Sequence, residues 1–66
     1  MTRLQYLREN QTLTQAELGK LLGLSHDAVH TWEIGKRYPR RKNAIKLVKF
    51  FDAPYLEWLF EDVNIF

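Results

Sequence analysis

Two histidines stand four residues apart in His26-Asp27-Ala28-Val29-His30, a spacing that puts both rings on one face of a helix. Histidines so placed, with an acid between them, are the ligand pair of the H-E-x-x-H zinc hydrolases. The details argue against that chemistry. Asp27 replaces the glutamate that serves as general base, and the chain has no third histidine and no cysteine. A short helix in a chain of 66 residues also builds no substrate cleft. No catalytic group, metal or cofactor is therefore expected. What the stretch does offer is an outward-facing set of hydrogen-bonding side chains, His26, Asp27, His30 and Thr31, suited to contact rather than to bond-breaking.

A second chemistry follows directly in the chain. Between Lys36 and Lys49 lie seven bases (Lys36, Arg37, Arg40, Arg41, Lys42, Lys46 and Lys49) and no acid, whereas four acids and no base lie beyond Asp52, counting Asp52 itself. A net charge of only +2 conceals this separation. A solvated face with no partner is the plain account of most charge runs. Seven bases in fourteen residues, just after a surface of hydrogen-bonding side chains, favour a polyanion as partner. Trp32 and Trp58 could serve as stacking platforms for single strands, but both fall on apolar faces and read as core.

Bulk composition sets the limits. The 66 residues suit one domain near the lower bound for folding on a core alone, and 45% hydrophobic and 14% aromatic residues make that core feasible. With no cysteine there is no disulfide and no thiolate metal site. No apolar run approaches a membrane span, and the start, Met1-Thr2-Arg3-Leu4-Gln5, lacks the apolar stretch of a signal peptide. The expected location is the cytoplasm, at the nucleoid, with no membrane partner.

The elements that must position these groups are written in capping signals. Thr2-Arg3-Leu4-Gln5 has the form of a capping box, predicting a first helix to about Glu9 with Leu4 and Leu7 on one face. Thr14-Gln15-Ala16-Glu17 is a second box, with Leu13 and Leu18 as the two ends of a hydrophobic staple and Leu18 and Leu22 inward. Gly23 follows as a left-handed C-terminal cap. Ser25 caps the third helix, Leu24 staples to Val29, Val29 and Trp32 face the core, and Gly35 ends the helix. Two helices joined by Gly23-Leu24-Ser25 form a helix-turn-helix. Gly19, inside the second helix, costs about 1 kcal/mol against Ala, which a close approach of the third helix would explain.

A fourth helix is predicted from Arg41 to Phe51, with Ala44, Ile45, Val48 and Phe51 inward. Its first turn carries cations where the helix dipole prefers anions, at a cost of about 0.3–1 kcal/mol each; a bound phosphate would reverse that sign. Asp52-Ala53-Pro54 closes this helix and opens a fifth with Pro54 in its first turn, continuing through about Phe60. The tail from Asp62 alternates polar and apolar residues, which permits a short strand. Its Val63, Ile65 and Phe66 suit either core closure or contact with a second copy or a protein partner.

The string Leu7-Arg8-Glu9, then Leu13-Thr14-Gln15-Ala16-Glu17-Leu18, Gly23-Leu24-Ser25, Trp32-Glu33, Gly35-Lys36-Arg37 and Pro39 resembles the phage repressor and Cro-like (Xre-like) helix-turn-helix family. Leu56-Glu57-Trp58-Leu59 is similar to the final helix of that family, so the likeness runs over residues 3–60. It implies an all-α, compact five-helix domain that binds double-stranded DNA as a homodimer on a palindromic operator, most simply as a repressor. It also implies roles. His26, Asp27, His30 and Thr31 match base-reading positions. Gln15, Lys36, Arg37 and Arg40 match phosphate-binding ones. Ser25, Arg41 and Lys42 adjoin them and are expected to meet phosphates too. Tyr38, in the basic turn, either gives its hydroxyl to a phosphate or lies over the core edge. Arg8 and Glu33 match a buried ion pair between the first and third helices.

Two residues depart from the family pattern. Ile34 stands where Asn or Arg is frequent, and Asp27 where Gln, Arg or Ser is, so Asp27 either supports the helix N-terminus or accepts from a cytosine amino group. An antitoxin-like or adapter domain, whose main partner is a protein, is the alternative function on the same fold.

Overall fold

The computed structural model of the chain describes residues 1–63. Five helices follow one another: α1 (Arg3–Asn10), α2 (Gln15–Leu22), α3 (His26–Glu33), α4 (Arg41–Phe51) and α5 (Leu56–Leu59). The expected all-α architecture is what forms among the described residues, with one isolated antiparallel bridge, Thr2 to Asp62, in place of a strand.

Local signals set the helix starts. Thr14 Oγ1 accepts from the Glu17 N–H at 3.0 Å, and Glu17 accepts from the Thr14 N–H at 2.8 Å, closing the reciprocal capping box. Ser25 Oγ caps α3 by accepting from the Ala28 N–H at 3.2 Å. Only half of the first box forms. Thr2 Oγ1 accepts from the Gln5 N–H at 3.3 Å, but the Gln5 side chain turns forward and donates to Glu9 at 3.0 Å instead of accepting back from the Thr2 N–H. Gly23 ends α2 in the left-handed region at φ 71°.

The turn between α2 and α3 explains Gly19. The Leu24 N–H donates to Gly19 O at 2.7 Å, and a Cβ on Gly19 would lie 2.6 Å from Leu24 O. The chain reverses so tightly that no side chain fits there.

Leu4, Leu18, Val29, Trp32, Leu47 and Leu59 are fully or nearly fully buried, with Leu7, Leu22, Leu24, Phe51, Leu56 and Trp58 packed around them. On α4 the inward stripe differs from the expected one: Leu47 is 0% exposed and Ile45 is 45% exposed. At about 100° per residue, Ala44, Leu47, Val48 and Phe51 fall within an arc of about 100°, while Ile45 lies about 60° outside it. The i, i+3, i+4, i+7 pattern belongs to Leu47.

The fifth helix is also corrected. Pro54 precedes α5 instead of lying in its first turn, and the helix ends at Leu59. Tyr55, its extended N-cap at φ −163°, puts a residue of strand-like backbone between the proline and the helix.

The ends of the described chain meet. The Arg3 N–H donates to Glu61 O at 2.8 Å and the Val63 N–H to Met1 O at 2.9 Å. Arg3 also donates to Trp58 O at 2.9 Å and to Glu61 at 2.8 Å, with its guanidinium 4.5 Å from the centre of the Trp58 ring. That cation already occupies one face of the Trp58 ring. Val63 is half-buried here, and Ile65 and Phe66 lie outside the described residues.

Gly19→Ala gains helix propensity worth about 1 kcal/mol yet should destabilise by about 1–3 kcal/mol net, read from urea midpoints at unchanged slope. In the same assay Leu47→Ala should cost about 2–5 kcal/mol and Ile45→Ala less than about 1 kcal/mol. The reverse order would mean that α4 turns a different face to the core.

Candidate nucleic-acid interface

Helix α3 is divided lengthwise by burial. Val29, Trp32 and Glu33 are buried; His26, Asp27 and His30 are exposed, and Thr31 is half-buried at the boundary. The four residues expected to read bases therefore do share the outer side of one helix. Their hydrogen-bonding capacity is already partly used. Thr31 Oγ1 donates to Asp27 O at 2.6 Å, one turn back, so outward it has only lone pairs and a methyl to offer. Asp27 Oδ1 lies 3.4 Å from His26 Nε2, both side chains being well exposed. The helix cap is made by Ser25, and Asp27 adds only an acid in the first turn.

The segment after α3 carries the cations. Lys36, Arg37, Arg40, Arg41 and Lys42 are all exposed, and none enters an ion pair among the described residues. Pro39 is buried and pins the loop in their midst. Ser25, Asp27, Ala28, Thr31, Trp32, Lys36 and Arg37 line one open cleft of about 440 Å³, so one flank of α3 shares a surface with the start of the basic loop, while His26, His30, Arg40, Arg41 and Lys42 lie outside that cleft. Arg40 caps α4 with no side-chain hydrogen bond and no acid follows in the first turn, which leaves an N-terminus that is positive in both dipole and side-chain charge. Tyr38 is 65% exposed and sets its ring edge-on to Phe60, with centroids 4.8 Å apart.

Lys46 is different. Its Nζ donates to Leu22 O at 3.0 Å, satisfying a carbonyl at the C-terminal end of α2. One base of the run is thus spent on the scaffold, and nothing in the sequence pattern around Lys46 marks it.

Gln15, expected to meet a phosphate, turns its amide nitrogen inward. Nε2 donates to Glu33 Oε1 at 3.0 Å and lies 3.3 Å from His30 Nδ1. Glu33 is held in turn by Arg8 through a two-pronged contact, Nε to Oε2 at 2.6 Å and Nη2 to Oε1 at 3.0 Å, while Arg8 Nη1 donates to Leu13 O at 2.7 Å. Arg8 and Glu33 are 7% and 4% exposed, so the implied ion pair is present and buried. The hydrogen bond to Glu33 raises the Arg8 pKa above its ordinary value, outweighing the desolvation that lowers it. A signal for both residues exists in the sequence: each occupies a position that an apolar stripe would fill, Arg8 four after Leu4 and Glu33 four after Val29. A charge on a core stripe needs an opposite charge to meet it.

The helix-turn-helix family model matches residues 4–58. The chain is 39% identical over 57 residues to the HTH-type transcriptional activator BcrR of Enterococcus faecalis, covering 86% of this chain and 28% of that protein. It is 38% identical over 61 residues to an uncharacterized HTH-type transcriptional regulator of Methanocaldococcus jannaschii, covering 91% and 92% respectively. A third relative, the HTH-type transcriptional regulator DicA of Escherichia coli, is 38% identical over 60 residues, covering 91% of this chain and 44% of that protein. The chain thus spans under half the length of two of these relatives and nearly all of the other. No solved structure matches it at a significant level.

Glu33→Ala leaves Arg8 buried without its partner and should cost about 3–5 kcal/mol in thermal or denaturant unfolding. Replacing both charges at once (Arg8→Met with Glu33→Leu) should recover much of that loss, so the double-mutant cycle reports strong coupling. Because the Arg8 pKa is raised by the fold, its stabilisation is fully present below the unfolded value and is lost only as pH rises through the folded one. Arg8 should therefore add no pH dependence to stability until strongly alkaline conditions.

Proposed function

The chain belongs to the helix-turn-helix family of DNA-binding transcriptional regulators, and from that premise we propose that it reads a palindromic operator as a homodimer and acts as a repressor. The observation that carries this reading is the shared surface of α3 and the basic loop, where Ser25, Asp27 and Thr31 border one cleft with Lys36 and Arg37. A helix with a polar outer side flanked by free cations suits a major groove, whose floor carries the base edges and whose rims carry phosphates.

Labour on this surface is divided. Lys36, Arg37, Arg40, Arg41 and Lys42 set register on the phosphate backbone, with Tyr38 and the Ser25 hydroxyl beside them. His26, Asp27, His30 and Thr31 face the bases. The uncapped N-terminus of α4 takes a phosphate, which turns its misplaced cations into a favourable arrangement. Gln15 reaches the phosphate with its backbone N–H at the start of α2, since its side-chain nitrogen is committed to Glu33. In a two-fold dimer the two α3 helices enter successive major grooves about 34 Å apart.

If each protomer neutralises about four phosphates, log K should fall against log salt with a slope of about −7. Arg41→Ala with Lys42→Ala should make that slope shallower, by about one unit for each phosphate no longer neutralised. Fluorescence anisotropy on a labelled duplex measures both, and an affinity indifferent to salt would overturn the proposal. Selection from random duplex DNA should enrich a palindrome, and enrichment of a single unrepeated half-site would remove the dimer.

A further inference from the structure

Glu33, Gln15 and His30 form a chain of contacts that limits what α3 can read. Glu33 is acceptor-only: its carboxylate already takes two N–H groups from Arg8, at 2.6 and 3.0 Å. The group that Gln15 turns to Glu33 at 3.0 Å must therefore be the amide nitrogen, because the amide oxygen would meet the carboxylate lone pair to lone pair. That same nitrogen lies 3.3 Å from His30 Nδ1. An amide NH₂ has two hydrogens to give and no lone pair to accept with. One goes to Glu33, so the other points at His30, and Nδ1 must receive it.

We infer that Gln15 is a specificity-determining residue that acts through His30: it holds the neutral imidazole with its proton on Nε2 and so presents the outer edge of α3 as a hydrogen-bond donor toward an acceptor atom of a base. This deepens the proposed function and rests on it. In the major groove the matching atoms are N7 and O6 of guanine, N7 of adenine and O4 of thymine, and the amino groups of cytosine and adenine are rejected because donor would face donor. The arrangement runs back into the core. Arg8 orients Glu33, Glu33 fixes which end of the Gln15 amide it faces, and that amide fixes the His30 tautomer. An otherwise freely turning, exposed histidine becomes a group of defined sign.

The test has two arms, both on the full chain. The first needs no DNA. Long-range proton–nitrogen NMR on ¹⁵N-histidine-labelled protein, at a pH where the rings are neutral, reads which ring nitrogen carries the proton. His30 should give one well-separated pair of nitrogen signals, and Gln15→Met should draw that pair together as the two tautomers average. His26, which makes no hydrogen bond to the Gln15 side chain among the described residues, is the internal reference and should not change. Identical His30 separations in the two proteins would overturn the inference.

The second arm selects binding sites from random duplexes with the parent chain, Gln15→Met and His30→Ala. One half-site position should lose its preference in both variants, by about tenfold, and a 7-deazapurine or a keto-to-amino replacement at that position should weaken only the parent. An unchanged preference in Gln15→Met, with the NMR change present, would reduce the contact to a structural one and overturn the assignment of specificity. Failure of every protein to bind duplex DNA would overturn the proposed function, and this reading with it, while the first arm would still report the tautomer.

Discussion

The buried pair of Arg8 and Glu33 is the constraint on which the rest of the domain depends. Two charges taken from water into a small core have to satisfy each other, and the requirement is met only if α1 and α3 sit in one relative position. Arg8 also donates to Leu13 O, which fixes the chain between α1 and α2, and Glu33 takes the Gln15 amide at the start of α2. Three helices and a turn are thus registered by one guanidinium and one carboxylate. Among the described residues no buried side-chain nitrogen or oxygen lacks a partner, so the arrangement leaves no polar group stranded.

This explains why a domain with so few fully buried side chains can present a recognition helix in a defined orientation. Hydrophobic contact holds α3 down through Val29 and Trp32, but apolar packing alone tolerates small rotations. The two-pronged contact at Glu33 does not, because both carboxylate oxygens are spoken for. Orientation and reading are therefore linked: the residue that anchors α3 from below shares the Gln15 amide with the histidine on its surface.

The cations follow a similar division between holding and reaching. Lys46 closes the end of α2 and Arg3 clasps Trp58 and Glu61, while Lys36, Arg37, Arg40, Arg41 and Lys42 stay free among the described residues. The first group donates to backbone carbonyls and, in the case of Arg3, to a carboxylate as well. The second crowds a loop and a helix N-terminus where nothing in the described chain offsets its charge. Such uncompensated charge is a standing cost in the free chain, and contact with an anion removes it.

The helices, their caps and the tight joint between α2 and α3 are legible in the residues alone, because they rest on contacts between positions three to five apart. Thr14, Glu17, Gly23 and Ser25 announce them, and Gly19 announces the close approach. The polar side of α3 and the cations that follow it are equally plain from residue order. The stripe on α4 is not, because Ile45 looks as suitable as Leu47 until the helix is docked. The ends of α5 and the bridge from Thr2 to Asp62 likewise required the packed chain. Above all, only the tertiary structure decided which polar groups are spent inward. Gln15 meets Glu33 across 18 positions and Lys46 meets Leu22 across 24, contacts that nothing in the residue order marks. Of the inward contacts, only the pairing of Arg8 with Glu33, across 25, is implied by the family resemblance. A residue type fixes how many hydrogen bonds a side chain can make, and the fold fixes which of them remain for a partner.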